Sequence, residues 1–384
     1  MTQIDGPWLE SSHTQRVCAM LTSAGYQALF VGGCVRNALY NTDVNDIDIA
    51  TDARPQKVLA LAKETGLNAI PTGIDHGTIT VVCDHEPFEI TTFRKDVETD
   101  GRRAVVAFSE DVEDDARRRD FTMNAIYARP NGEVVDPLGG LEDLRARRVR
   151  FIDDADQRIR EDYLRILRFF RFHAFYGDRD NGMDADALAA IAANSSGIET
   201  LSNERIGAEM LKLLSAPDPA PSVAAMRACG ALGWIFSGAD DRALAPLVHL
   251  EALVKADVDP VRRLAALGGQ GVEEALRLSK KASKRLAEYR NGIALGAGPA
   301  ELGYRYGVER ALSIILLRSA LLETPMPEDC VSDIKRGAGS VFPIQPADLM
   351  PSYEGAALGR ELKKLEALWV QSDFTLGRTE LLSV

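Results

Sequence analysis

Asp46 and Asp48 stand two apart in the run Asn45-Asp46-Ile47-Asp48-Ile49-Ala50. In a strand, residues i and i+2 share a face. The spacing therefore predicts two carboxylates side by side, with Ile47 and Ile49 turned into a core. Two such groups repel each other unless a cation sits between them. Mg²⁺ takes oxygen ligands and bridges to substrate phosphates, so the pair suits phosphoryl-transfer chemistry. Alone, an Asp-x-Asp describes any solvated strand face, and its neighbours must decide.

Thirteen residues upstream of Asp46, an apolar run ends in Gly32-Gly33 and continues into Val35-Arg36-Asn37. Paired glycines let backbone N–H groups approach a phosphate at a helix start, and Arg36 adds a charge-assisted donor. Downstream, Phe88-Glu89-Ile90-Thr91-Thr92-Phe93 alternates as a strand should and offers a third carboxylate, Glu89. A further cluster, Glu161-Asp162-Tyr163-Leu164-Arg165, with Arg168 and Arg171 beyond it, falls in a stretch of helical apolar spacing.

The elements that must position these groups change character along the chain. Ala28–Val31, Asp46–Ala50, Thr78–Cys83 and Phe88–Phe93 read as strands, and Pro55–Glu64 as a helix between them. Beyond about residue 152 the strand signals stop. Arg158–Phe175, Asp184–Ala193, Asn203–Leu214, Pro221–Leu232, Pro260–Leu267, Val272–Tyr289, Val308–Leu322 and Ala356–Val370 carry 3.6-residue periodicity. The fold class expected is α+β, with a small mixed sheet followed by an all-helical remainder.

Bulk composition bounds the partners. The hydrophobic fraction of 46% and charged fraction of 27% are those of an ordinary globular chain. No apolar run reaches the roughly 18–20 residues of a membrane span. The start, MTQIDGPWLESSH, lacks a signal or transit pattern, so a cytoplasmic protein is expected. Five scattered cysteines without a CxxC indicate reduced thiols. The net charge of −12 argues against a nucleic-acid partner in bulk, yet charge is segregated. Residues 277–290 hold six basic residues against one acid.

Taken in order, the segments GGCVRN, NDIDIA, FEITTFRKDVETDGR, RRRDFTMNAIY, DPLGGLEDL, REDYLRILRFFRF and NERIGAEMLKLL resemble the class II tRNA nucleotidyltransferases (CCA-adding enzymes) and the bacterial poly(A) polymerases. The likeness runs over about residues 28–215, and the C-terminal GAALGRELKKLEALWVQSDFTL is similar to the family's tail helix. It implies a polymerase-β-like head at 1–152, a helical neck at 153–222 that binds nucleobase and RNA, and a body and tail at 223–384 that bind tRNA. It also implies Mg²⁺ at Asp46 and Asp48, with Glu89 as third catalytic carboxylate. Gly33, Arg36, Arg119, Arg168 and Arg171 would hold the nucleotide, with Asp120 and Asn124 bracing the site. Lys95–Arg103 resembles the family's flexible loop. One departure is Asn37, where the family usually has Asp.

The resemblance assigns base selection to Asp162 and Arg165, and elementary chemistry agrees. Cytosine and adenine both present an amino donor beside a ring-nitrogen acceptor, whereas uracil and guanine present the reverse. One acceptor and one donor brought together at i,i+3 on a helix would fit C and A alone. Mispaired buried polar groups cost about 1–3 kcal/mol each. The reaction implied is untemplated addition of C, C and A to the 3′ end of tRNA from CTP and ATP, releasing pyrophosphate. The alternatives are a poly(A) polymerase, which carries a longer basic extension than this chain shows after its tail helix, or a partial A-adding enzyme. An inactive RNA-binding protein would be free to lose Asp46, Asp48 and Glu89, yet all three are present. None of the five histidines precedes Asp, which excludes the usual fused phosphohydrolase.

Overall fold

The computed structural model describes residues 2–100, 103–178 and 181–384. The chain divides into two compact units, Met1–Glu209 with Pro221–Ile235, and Met210–Ala220 with Phe236–Val384.

The first unit holds the strands β1 (Leu29–Val31), β2 (Asp48–Thr51), β3 (Asn68–Gly73), β4 (Thr78–Cys83), β5 (Glu86–Thr92), β6 (Arg94–Asp100), β7 (Arg103–Phe108), β8 (Tyr127–Ala128) and β9 (Val134–Val135). Seven form one mixed sheet in the order β3-β4-β5-β2-β1-β8-β9. The pairing of β2 with β5 is parallel and the other pairings are antiparallel. Period-two burial organises the sheet. Ile79, Val81 and Cys83 of β4 are buried while Thr78, Thr80 and Val82 between them are half-exposed. One face packs Leu29, Val31, Ala50, Phe93 and Tyr127 into a core with Ala116 and Ile152. The α+β architecture with a small mixed sheet is as the sequence led us to expect.

Between β1 and β2 lies α1 (Gly33–Leu39), and ahead of the Arg-rich segment lies α2 (Val112–Arg117). Where a loop was expected at Lys95–Arg103, β6 and β7 pair instead as a separate two-stranded ribbon. The β-branched run Val105-Val106 explains its second strand. Residues 101 and 102 of the expected loop lie outside the described residues.

The continuous helix expected from Arg158 to Phe175 is broken. α3 (Ala155–Glu161) stops and α4 (Leu164–Tyr176) starts afresh, with Asp162 extended at φ −154°, ψ 104°. The Asp162 carboxylate accepts from the Leu164 N–H at 3.1 Å, the local side-chain bond by which Asp competes with helix continuation. Tyr163 fills the break, its ring lying where a Cβ on Gly197 would fall. Two other predicted helices are split by left-handed residues, Pro221–Leu232 at Gly230 (φ 77°) and Val272–Tyr289 near Arg277 (φ 47°). By contrast α5 (Asn203–Leu214) and α6 (Pro260–Leu267) run as expected.

The second unit is helical throughout its described elements. On α6, Arg262 and Arg263 are buried and donate to the two oxygens of Glu251 at 2.7 and 2.9 Å. α7 (Lys280–Leu295) starts at the Ser279 cap, whose Oγ accepts from the Ala282 N–H. Lys280, Lys281 and Lys284 on it are exposed, whereas Arg285 turns toward Asp259 at 3.4 Å. α8 (Pro299–Leu322) is kinked at Gly307, the residue before the predicted helix start at Val308. Among the described residues no helix is long and apolar enough to cross a membrane.

Candidate active site

Asp48 opens β2, and its register partner on parallel β5 is Glu89. Neighbours in register present side chains to one face, so the two carboxylates sit beside each other. Asp46 lies in the segment just before β2 rather than within the strand, and is exposed. Asn45, Asp46, Ile47, Asp48, Thr80, Glu86, Pro87 and Glu89 line one cleft of about 430 Å³. Burial raises the Asp48 pKa first, and the charges of Glu89 and Asp46 push it further up, while Arg119 pulls the other way. Burial and two like-charged neighbours thus disfavour the ionised form of this carboxyl.

The donors here are all oxygens, and they line an open cleft. Among the described residues no three or more His, Cys, Asp or Glu side chains are grouped so as to hold a metal ion by themselves, so an ion here would rest on fewer carboxylates and complete its shell with other oxygens. An open set of carboxylates fits a hard divalent ion that keeps water and phosphate oxygens in its shell. The residues therefore fit the group that the chemistry asks for.

Beyond the carboxylates, β1 is followed by Gly32, whose φ of 75° makes a turn into α1 that favours glycine. A Cβ there would sit 3.8 Å from an Arg119 Nη, so the arginine lies over the Gly-Gly turn. Arg119 is held from behind: its Nη2 donates to Asp115 at 3.0 Å and its Nε to the Tyr127 hydroxyl at 3.1 Å. Burial alone would raise the Asp115 pKa, but Arg119, Arg118 and the Tyr127 hydroxyl bring it down to about 2. Asp115 carries no obvious motif weight and escaped sequence reasoning. Its position one turn before the Arg run was the available signal.

Arg36 faces inward. It is 7% exposed and donates to Asn124 Oδ1 at 2.6 Å, to Asn37 Oδ1 at 3.2 Å and to the Tyr176 hydroxyl at 2.8 Å. Asn37 uses its amide to donate to the Asp43 carbonyl at 2.9 Å, a bond an Asp could not donate. Asp120 accepts from Asn124 at 3.0 Å and from Arg168 Nε at 2.7 Å. Those contacts hold its carboxyl below the usual range against the cost of burial.

The pairing of Asp162 with Arg165 requires correction. An i,i+3 contact presumes an unbroken helix, and the helix breaks between them. Asp162 instead accepts from Arg205 at 2.7 Å, reaching α5. Arg165 donates to Glu161 at 2.6 Å and to the Arg158 carbonyl at 2.7 Å. Arg158 bonds to the same Glu161 oxygen and to the Arg119 carbonyl. Arg171 pairs with Glu209 at 2.6 Å and lies over the Phe172 ring. Glu161, Arg205 and Glu209 are partners that sequence spacing did not assign.

A domain model described as "Poly A polymerase head domain" matches residues 28–150, and one described as "Probable RNA and SrmB- binding site of polymerase A" matches 182–242. The chain is 40% identical over 216 residues to human CCA tRNA nucleotidyltransferase 1, mitochondrial, and spans about half the length of that relative. It is 31% identical over 376 residues to the zebrafish (Danio rerio) protein of the same name, covering 93% of this chain and 86% of the relative. The structure of the Bacillus stearothermophilus CCA-adding enzyme in complex with CTP superposes with a TM-score of 0.72 at 27% identity, covering 96% of this chain and 94% of that one.

Proposed function

Because the chain belongs to the tRNA nucleotidyltransferase/poly(A) polymerase family, we propose that it adds C, C and A to the 3′ end of tRNA from CTP and ATP, releasing pyrophosphate. The observation that carries the reading is the register pairing of Asp48 with Glu89 in a cleft that also takes in Asp46. Mg²⁺ bound at Asp46 and Asp48 would lower the pKa of the attacking 3′-hydroxyl and neutralise the triphosphate. Everything else falls to the chain's own residues. Gly33 and Arg119 receive the phosphates at the turn between β1 and α1. Arg36 acts from below that turn, joining it to Asn124. Arg168 and Arg171 supply positive charge from α4, and Asp162 and Arg165 at the helix break read the base edge. The hydroxyl attacks the α-phosphate in line, the bond to the β-phosphate breaks, and pyrophosphate leaves.

Chemistry at 1–152, base reading at 153–222 and tRNA binding at 223–384 is the division of labour proposed. The cytoplasm is the proposed compartment, in keeping with five cysteines that form no disulfide. Unprocessed tRNA supplied with CTP alone, ATP alone, and both is the test. The reading requires two cytidines with CTP alone and a completed C-C-A end with both. A long tail from ATP alone would instead make the chain a poly(A) polymerase, and extension only of ends that already carry C-C would make it an A-adding enzyme.

A further inference from the structure

A closed ring of polar contacts ties α4 to the head at two points, Asp120 beside Arg119 and Arg36 on α1. Starting from the helix, Arg168 donates to Asp120 at 2.7 Å and Asp120 accepts from Asn124 at 3.0 Å. Asn124 in turn accepts from Arg36 at 2.6 Å, and Arg36 donates to the Tyr176 hydroxyl at 2.8 Å, returning to the same helix. Arg168 and Tyr176 are eight residues apart, which on a helix is roughly 12 Å, or just over two turns. One attachment point would leave α4 free to tilt. Two points this far apart fix both its tilt and its axial position against α1.

Burying the Arg36 charge costs stability unless its surroundings compensate. Here the Tyr176 ring lies 4.1 Å from the guanidinium carbon and the Phe172 ring 5.3 Å from it. Tyr176 also stacks on Tyr40 with centroids 6.1 Å apart and planes 7° from parallel, and the Arg147 guanidinium lies 5.1 Å from the Tyr40 ring centroid. Tyr176 thus combines a stacked ring, which α4 needs merely to pack, with a hydroxyl whose bond goes to Arg36. The hydroxyl of Tyr40 points elsewhere, donating to the Leu144 carbonyl at 2.8 Å.

We propose that Tyr176 is a positioning residue for nucleotide selection: through Arg36, Asn124 and Asp120 it sets the register of α4 against the phosphate turn. The base reader at the start of α4 then meets a nucleotide whose phosphates are held by the head. The inference rests on the nucleotidyl-transfer reading above. It adds to that reading a residue placed away from the base reader, at the far end of the helix.

The experiment compares Tyr176→Phe with Tyr40→Phe in the full chain. Each variant keeps its ring and loses one hydroxyl. The kcat/KM of CTP and of UTP is measured on tRNA ending before its C-C-A, with denaturant stability measured alongside. Tyr176→Phe is expected to lower the CTP-over-UTP ratio about tenfold, the size of effect that one hydrogen bond to a charged group supports. Tyr40→Phe is expected to lose stability without moving the ratio. An unchanged ratio in Tyr176→Phe overturns the inference, whatever its stability. So does an equal shift in Tyr40→Phe, which would mean that any loosening of this packing suffices. The wild-type chain is the separate control, since its failure to incorporate C would sink the functional reading and not the ring.

Discussion

Replacing Asp48 with Asn removes one charge from a cleft that already holds too many of one sign. Neighbouring strands lie about 4.8 Å apart, which places the carboxylates of Asp48 and Glu89 roughly 6 Å from each other. At that separation, Coulomb repulsion is about 0.7 kcal/mol in water and about 2.8 kcal/mol at an effective dielectric of ~20. Glu89 is exposed, so the lower part of that range applies, about 1 kcal/mol. Without divalent ions, Asp48→Asn should therefore stabilise the first unit by about 1 kcal/mol, a rise of roughly 2–4 °C in its Tm. The sign of the pH dependence follows from the raised Asp48 pKa. An acid whose folded pKa is raised loses stability as pH climbs through that pKa, so the wild-type deficit is full at neutral pH. It closes only once pH falls well below the ordinary Asp value of 3.8, where the side chain is protonated in both the folded and the unfolded chain. Saturating Mg²⁺ should invert the order, because at a hundred times Kd it stabilises the wild type by about 2.7 kcal/mol and finds fewer ligands in the variant. Thermal melts in chelator and in Mg²⁺, with nucleotide incorporation beside them, provide the assay. A variant less stable than wild type in chelator at neutral pH refutes the electrostatic reasoning. Retained Mg²⁺-dependent incorporation refutes the assignment of Asp48.

Three further outcomes are expected. Asp162→Ala should relax the preference for C and A over U and G more than it weakens triphosphate binding; unchanged selectivity with only a raised KM would reduce Asp162 to a partner of Arg205. Asp115→Asn should cost about 3 kcal/mol, because it leaves two half-buried arginines without their buried counter-charge, and denaturant curves would measure it. Since the Asp115 pKa is held at about 2, its stabilisation is present at neutral pH and drains away as pH falls from about 5 toward 2, a loss the variant should not show. Changing Lys280, Lys281 and Lys284 to Glu should weaken tRNA binding and flatten the slope of log K against log salt by roughly 0.7–0.9 for each phosphate no longer neutralised, leaving CTP binding unchanged. An unaltered slope would leave these lysines as a solvated helix face.

Local pattern carried the sequence reading wherever one element contained the whole argument. Alternation placed Asp48 and Glu89 on strands, and the Gly-Gly pair marked the turn, because period two and left-handed φ are properties of a few consecutive residues. Pattern failed where the deciding partner came from elsewhere. Apolar spacing runs unbroken from Arg158 to Phe175, and nothing in it announces that the Asp162 carboxylate will cap α4 while Arg205, 43 residues on, takes its other oxygen. Arg36 reads from its place after the Gly-Gly pair as a donor to phosphate, with nothing to mark it as buried. Only the return of Tyr176, 140 residues later, shows why it faces inward. The second unit was legible as helices and hardly at all as a site, because its buried Arg262-Glu251-Arg263 cluster and its exposed lysines look alike in composition.

Gly197 touches no substrate in the reaction proposed, yet the Tyr163 ring occupies the space its side chain would need. The residue that fills the helix break thus leans on a position where only hydrogen fits. Any substitution at 197 displaces Tyr163, and with it the segment that carries Asp162. Errors in the nucleotides added to RNA would then arise from a codon whose product never meets one. A genetic screen for such errors should recover this glycine among the residues of the base reader itself.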